Sequence, residues 1–315
     1  MDTTELVTII VPVFNRAPLI DRSIRSLCAQ SHRNIEILIV DDASTDDIEG
    51  AVAAIGDSRV RLVRRARNGG AAAARNTGVA EAKGDLIAFH DSDDICVFDK
   101  IERQVAELAA LPQDYIGTTS SVIFYYSLSE ADYPKMKTYF RPYAHEAPFS
   151  GDLSARTLRG NSFHLPTLLV KKSALIAAGP SDELIRNNVD WDLALRLTRQ
   201  GKLGFSPEPL YLMQVHLSEG INLQRISRST KFSAQSFVRI TGKIRHQGYG
   251  GPDLALHYTT AARHLLRLNR PGFARRYLRA ALVITPFNPK LWAHYLVSYA
   301  PKLHSQLQIR RRAHP

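Results

Sequence analysis

Cysteine is scarce: the 315-residue chain has only Cys28 and Cys96. That is too few for a disulfide framework, and neither has a partner at metal-ligand spacing. The expected setting is a reducing one, the cytoplasm. Long apolar runs are missing too; none reaches the ~18 residues a membrane-spanning helix needs. The opening "MDTTELVTIIVPVF" has no basic segment ahead of its short apolar run, so it is expected to be neither a signal peptide nor a span. Two glycine signatures are also absent. The turn after the first apolar run reads "PVFNRAPL", without the G-x-G-x-x-G of dinucleotide binders, and no Walker A pattern occurs. Acid is nearly lacking from the last part of the chain. Residues 225–315 hold 17 Lys/Arg and one acid, Asp253, whereas residues 1–224 hold 24 Lys/Arg against 29 Asp/Glu. Two regions of opposite charge point to two jobs, with a boundary expected near residue 224.

The hydrophobic content, 44%, is enough for a sizeable core. Residues 6–14, 35–40, 59–63 and 85–90 read as strands rich in β-branched residues. Helices are expected between and after them. The first spans 17–30, with Ile20, Ile24, Leu27 and Cys28 in one stripe. The second follows the S-x-x-D start signal of Ser44 and Asp47. The third spans 71–83 and stops before Gly84; the fourth spans 99–111. Strand and helix alternate four times with short connections, the pattern of an α/β, mostly parallel sheet flanked by helices. Residues 112–224 are harder to read. "SSVIFYYSLS" and "TLLVKKSAL" resemble strands, and "NNVDWDLALRLTRQG" a helix.

Ligands of such sheets bind outside the carboxyl ends of the strands. Three polar clusters fall at those ends: Asn15-Arg16, Asp41-Asp42 and Asp91-Ser92-Asp93-Asp94. Like charges packed as closely as in "IAFHDSDDICVFDK" repel, unless a cation sits among them. In an extended segment Asp91 and Asp93 would share one side, with Asp94 facing elsewhere. A hard divalent cation, Mn²⁺ or Mg²⁺, takes one or two carboxylates plus the phosphates of a substrate. The competing reading is an acidic turn capping the next helix, which suits Asp99 better than Asp91 and Asp93.

Three blocks carry a family resemblance: "TIIVPVFNRAPLIDRSIRSLCAQSHRNIEILIVDDASTDD", "NGGAAAARNTGVAEAKGDLIAFHDSDD" with its D-x-D signature, and "VDWDLALRLTRQG". Together, over residues 6–216, they resemble a family 2 glycosyltransferase of the GT-A fold. The resemblance implies an inverting sugar transfer from a nucleoside-diphosphate sugar, UDP first, to a glycan or lipid-linked acceptor in cell-envelope polysaccharide assembly. It places Pro12, Phe14, Asn15 and Arg16 against the nucleoside, with Phe14 equally suited to the core. It gives Asp42 a hydrogen bond to the base, and Arg75 a reach to base or phosphates. Asp93 becomes the direct metal ligand, with Asp91 by ribose and metal, Ser92 beside them and His216 near the metal–diphosphate. Asp190 becomes the general base. Val189 stands where the family commonly has glutamate, and His90 where it has an apolar residue. Asp192 reads as a surface or first-turn helix acid; Trp191 suits either the core or a sugar ring. A non-catalytic nucleotide-sugar-binding or scaffold protein is the alternative.

The halves of the catalytic region are expected at about 1–111 for the nucleotide and 112–224 for the acceptor. Residues 225–315 read as basic amphipathic helices, with Leu291, Trp292, Tyr295, Leu296 and Tyr299 as one stripe. Two readings stand side by side for this region: peripheral contact with an anionic membrane, or a cap that packs on the catalytic domain or on a second copy in a homo-oligomer. Nucleic acid ranks third, because no binding motif for it appears.

Overall fold

The computed structural model describes residues 5–127, 139–140, 150–216 and 230–299. The chain divides into two compact units, Met1–Glu183 with Val189–Leu223 and Leu184–Asn188 with Gln224–Pro315.

The first unit opens with β1 (Val7–Val13), α1 (Ile20–Cys28), β2 (Ile35–Asp41), α2 (Ile48–Ala53), β3 (Val60–Arg64), α3 (Ala71–Glu81) and β4 (Leu86–Phe89). It continues with β5 (Ile95–Cys96), α4 (Lys100–Ala110), β6 (Tyr115–Ser127), β7 (Tyr139–Phe140) and α5 (Ser154–Arg159). After these come β8 (Leu169–Lys171), α6 (Lys172–Ala178), α7 (Val189–Leu197) and β9 (Lys202–His216). The sheet order is β3-β2-β1-β4-β8-β6-β9-β5, with β7 added on β6. The first four strands are parallel; β8 runs against both β4 and β6, and the sheet is mixed from there on.

The period-two alternation of the strands sorts the core into two layers. Val7, Ile9, Val11 and Val13 of β1 face α1, α2 and α4, where Ile24, Leu27, Ile48 and Ile101 meet them. Ile10 of β1, Leu38 and Val40 of β2 and Ile87 and Phe89 of β4 face the other way, toward Ala74, Leu175, Leu193 and Leu197. Both faces are covered, which is why β1, β2 and β4 are mostly apolar runs rather than alternating ones. α3 lies so close to β1 that a Cβ on Gly78 would fall 2.4 Å from the Ile10 side chain. Pro12 sits in a central strand without harm. It has a ladder partner, Val40, on one side only, because β4 already ends opposite Ile10.

Two elements differ from the sequence reading, and a third is not read there. Asp47, not Ser44, caps α2, accepting the Gly50 amide at 2.9 Å. "TLLVKKSAL" is a three-residue strand that turns at once into α6. β9 runs for 15 residues through Pro207 and Pro209, and its parallel register with β6 shifts there, from Ser120↔Ser206 to Ser121↔Pro209.

The second unit contains α8 (Thr230–His246), α9 (Gly251–Arg267), α10 (Pro271–Ile284) and α11 (Pro289–Val297). Pro271 and Pro289 start α10 and α11 in the first helical turn, where no intrahelical N–H bond is lost. Asn288 caps α11, accepting from the Lys290 and Leu291 amides. The shared core is alanine-rich: Ala255, Ala262, Ala274, Ala281, Leu278 and Leu291. Among the described residues no helix is long and apolar enough to cross a membrane.

One buried polar knot ties the far end of the sheet. Glu36 accepts from the Thr8 hydroxyl at 2.7 Å, the Lys83 amide at 3.0 Å and Arg61 Nε at 2.9 Å. Burial pushes the Glu36 carboxyl up, but these three donors outweigh it and hold it below the ordinary glutamate value. A depressed carboxylate stabilises the fold above its unfolded-state pKa, and the contribution fades as the pH falls through the folded value. Glu36→Ala is therefore expected to cost about 3 kcal/mol in denaturant titration at neutral pH. The gap from wild type should narrow in acid.

Candidate active site

The carboxyl ends of β1, β2 and β4 place the three polar clusters along one edge of the parallel sheet. The loop after β1 is stitched to the loop after β2. Asn15 donates its amide to Ser44 Oγ at 2.9 Å and accepts the Thr45 amide on Oδ1 at 2.8 Å; the Ala17 amide donates to Asp46 at 2.8 Å. Asn15 and Ala43 both hold positive φ, 52° and 63°, a conformation that costs of order 1–3 kcal/mol and gathers at functional sites. Phe14, on the same loop, is 44% exposed and does not belong to the core. Pro12 and Arg16 are partly buried.

Asp41 accepts the Ser44 amide at 2.9 Å, a turn role. Asp42 is the most heavily engaged carboxylate of the edge. It accepts the Gly69 amide at 3.0 Å and the Gly70 amide at 2.6 Å, and is paired with Arg65. Gly70 has a φ of 85°, which favours glycine, and a Cβ on Gly69 would lie 2.6 Å from both the Ala73 Cβ and the Arg65 guanidinium. The clamp fixes the start of α3, and so the direction in which Arg75 leaves it. The base contact expected of Asp42 would share its oxygens with these donors. Arg65 gave no sequence signal beyond its place in a basic run.

The aspartate cluster is a turn, not the extended segment assumed above: the Asp94 amide donates to the Asp91 carbonyl at 3.1 Å. Period-two alternation therefore does not decide which way Asp91 and Asp93 point. Asp91 accepts from Arg75 at 2.8 Å, and its own amide donates to the Tyr211 hydroxyl at 3.1 Å. Desolvation raises the Asp91 carboxyl, Arg75 opposes this and Asp93 reinforces it. Asp94 is buried and accepts the Gln214 amide at 2.7 Å. Burial and then the charges of Asp91 and Asp93 push its carboxyl well above the usual range. Ser92 is buried. His90, unexplained by the sequence, is buried beneath the turn with Nε2 2.9 Å from Ser23 Oγ and its ring edge-on to Tyr211. Burial, then the nearby Lys100 charge, lowers its pKa to about 3, so it is neutral near pH 7.

Asp190 opens α7. It accepts from Asn161 Nδ2 at 2.7 Å and from the Trp191 amide at 2.9 Å. Burial raises its pKa; the Arg75 charge opposes this, and Asp91 adds to it. Asp91, Arg75 and Asp190 therefore lie within electrostatic reach of one another. Two polar atoms beside them, Arg75 Nε and Asn161 Oδ1, are buried with no hydrogen-bond partner among the described residues. A cavity of about 380 Å³ opens beside Arg75, lined mainly by apolar groups including Val79, Phe89, Leu175 and Leu193. Trp191 donates its indole N–H to the Thr157 carbonyl at 2.7 Å and is core. Asp192 is in the first helical turn but is buried and paired with Arg196, not at the surface. Asn161 carried no signal in the sequence. The His216 side chain lies outside the described residues.

Metal fit follows from the donors. Among the described residues no three His, Cys, Asp or Glu side chains form a cage. Asp91 and Asp93 bring carboxylate oxygens into the turn after β4, and hard donors of this type suit a cation that completes its shell with phosphate oxygens.

Arg65→Ala leaves buried Asp42 with two amide donors and no counter-charge. A loss of about 2–4 kcal/mol in denaturant titration is expected.

Comparison with known proteins bears on the family and the fold. Residues 8–165 match the family described as Glycosyl transferase family 2. An uncharacterized glycosyltransferase of Rickettsia conorii is 30% identical over 244 residues, 77% of this chain; the chain spans only 37% of that relative. The UDP-Glc:alpha-D-GlcNAc-diphosphoundecaprenol beta-1,3-glucosyltransferase WfgD of Escherichia coli is 43% identical over 101 residues, 32% of this chain and 40% of that protein. The crystal structure of S. aureus TarS 1-349 in complex with UDP superposes with a TM-score of 0.63 at 17% identity, covering 95% of this chain and 91% of that one, a likeness of fold. With a family match across half its length and this architecture, the chain belongs to glycosyltransferase family 2 and has the GT-A fold.

Proposed function

We propose that the protein transfers a sugar from a nucleoside-diphosphate sugar, UDP first, to a hydroxyl of a glycan or lipid-linked acceptor, with inversion. The observation that carries this is the triangle of Asp91, Arg75 and Asp190, flanked by Arg75 Nε and Asn161 Oδ1, which have no hydrogen-bond partner among the described residues. An orphaned donor and acceptor beside a carboxylate held above its ordinary pKa are what a site awaiting a polar substrate contains. The donor and acceptor stated in the name of the E. coli relative support the choice of UDP and of a lipid-diphosphate acceptor.

In this reading Asp190 takes the proton of the acceptor hydroxyl, and Asn161 holds the carboxylate in place. The hydroxyl oxygen bonds to the anomeric carbon as the bond to the β-phosphate oxygen breaks on the opposite face. The electron pair leaves with the nucleoside diphosphate, and no covalent enzyme intermediate forms. Asp91 and Asp93 would hold Mn²⁺ or Mg²⁺, which when bound neutralises charge on the departing diphosphate. Arg75 opposes the rise of the Asp91 carboxyl, and its Nε–H, without a partner among the described residues, is offered to the same oxygens. Burial raises Asp190, as befits a base working nearer neutrality than an ordinary aspartate.

Calorimetry with UDP, with and without Mn²⁺, on wild type and Asp93→Ala tests the donor site. Metal-dependent binding that disappears in the variant is expected. Loss of all nucleotide binding, GDP and dTDP included, would favour a scaffold. With the donor in hand, Asp190→Asn should lower kcat by about 10²–10⁴ while leaving UDP affinity intact. The acidic limb of the wild-type kcat/KM profile should lie above the ordinary aspartate range, because the base form is required. Proton NMR of the product settles the anomeric course, and retention would overturn the mechanism.

A further inference from the structure

We propose that the helical unit docks on an anionic lipid surface through the outer face of α10 and α11. Trp292, Leu296 and Tyr299 are spaced i, i+4, i+7, so they share one side of the α11 segment, and they are 45%, 64% and 56% exposed. On α10, Phe273 and Val283 point away from the buried Ala274, Leu278 and Ala281, and are 57% and 84% exposed. Phe287, in the turn between the two helices, is 95% exposed. The stripe expected from the sequence is thus two-sided. Leu291 enters the core and half-buried Tyr295 packs against it, while Trp292, Leu296 and Tyr299 stay exposed. Such a concentration in one hairpin is not the scattered surface apolarity of an ordinary monomer.

Charge decides what fits it. Within 230–299 the chain has 11 Lys/Arg and a single acid, Asp253. Arg275 lies over the Tyr299 ring at 4.6 Å, and Arg279 donates from Nε to the Tyr295 hydroxyl at 2.9 Å. Both guanidiniums are thereby fixed at the edge of the aromatic cluster. Trp292 satisfies its indole N–H on the Pro286 carbonyl at 2.7 Å, so its ring can enter an apolar layer without stranding a donor. Aromatic and aliphatic tips framed by cations match the boundary between acyl chains and anionic headgroups. Phosphate-rich polymers would use the arginines but leave Val283, Phe287 and Leu296 idle. The proposal rests on this surface alone and is independent of the catalytic reading.

The test uses the full chain with phosphatidylglycerol-containing and pure phosphatidylcholine vesicles. Of the two tryptophans Trp191 is buried, so a vesicle-induced blue shift of the emission reports Trp292. A blue shift and co-sedimentation with anionic vesicles only, weakened by salt, are expected. Phe287→Ser combined with Leu296→Ser should lower that binding about tenfold or more, with an unchanged melting temperature, since both side chains are exposed. Arg276→Glu with Lys290→Glu is a second variant that leaves the apolar face intact, and should also lose anionic selectivity. Undiminished vesicle binding in both variants would overturn the proposal. So would a dimer dissolved by the Ser variants, or oligonucleotide binding that competes fully with vesicles.

Discussion

Carboxylates forced together at the end of β4 are the constraint around which this molecule is arranged. Asp91, Asp93 and Asp94 fall in one turn, and two of them are raised above their ordinary values by burial and by one another. A group of this kind is tolerated only where the surroundings supply donors. Here they come from distant places in the chain. Arg75 arrives on α3 and the Gln214 amide on β9, and the Tyr211 hydroxyl, also on β9, accepts the Asp91 amide. Removing any of them would leave like charges facing each other in a low dielectric. The neutral His90–Ser23 pair beneath adds no charge of its own near pH 7.

The route by which Arg75 arrives shows how backbone chemistry sets up side-chain chemistry. Asp42 holds the Gly69 and Gly70 amides, these begin α3, and α3 lies flat on β1 because Gly78 admits Ile10. A side chain at Gly78 would meet Ile10 of β1 and push against the seat of the helix that carries Arg75. The precision of the candidate site therefore rests on small residues several ångströms from it.

Much of this was legible in the sequence where one rule dominated. The first four strands and helices follow from β-branched runs, apolar spacing and short turns, and the acid clusters were expected at the strand ends where they lie. Legibility failed where two rules competed. β9 carries Pro207 and Pro209, which break the strand pattern, yet the bulge opposite Ser120 and Ser121 absorbs them. The lysines of "TLLVKKSAL" mark a strand-to-helix junction rather than a strand. The aspartates were assumed extended, but a turn bond from Asp94 to Asp91 reorients them. Asn161 and Arg65 depend on tertiary approach across about 25 residues, which no local pattern encodes. Trp191 had two readings, and only the Thr157 carbonyl decided between them.

The long parallel ribbon of β6 and β9 has a kinetic consequence. It pairs Tyr115 with Lys202, residues nearly ninety apart, in parallel, so no hairpin joins the two strands. The entropy of closing so large a loop has to be met before the first ladder bond forms. The leading βα repeats, with their short connections, can assemble while that half is still open. Tyr211 and Gln214 ride on β9, so the acidic turn gains these hydrogen-bond partners only when the ribbon zips. During chain synthesis the aspartate cluster emerges more than a hundred residues ahead of the strand that quiets it, and until then it must stay hydrated.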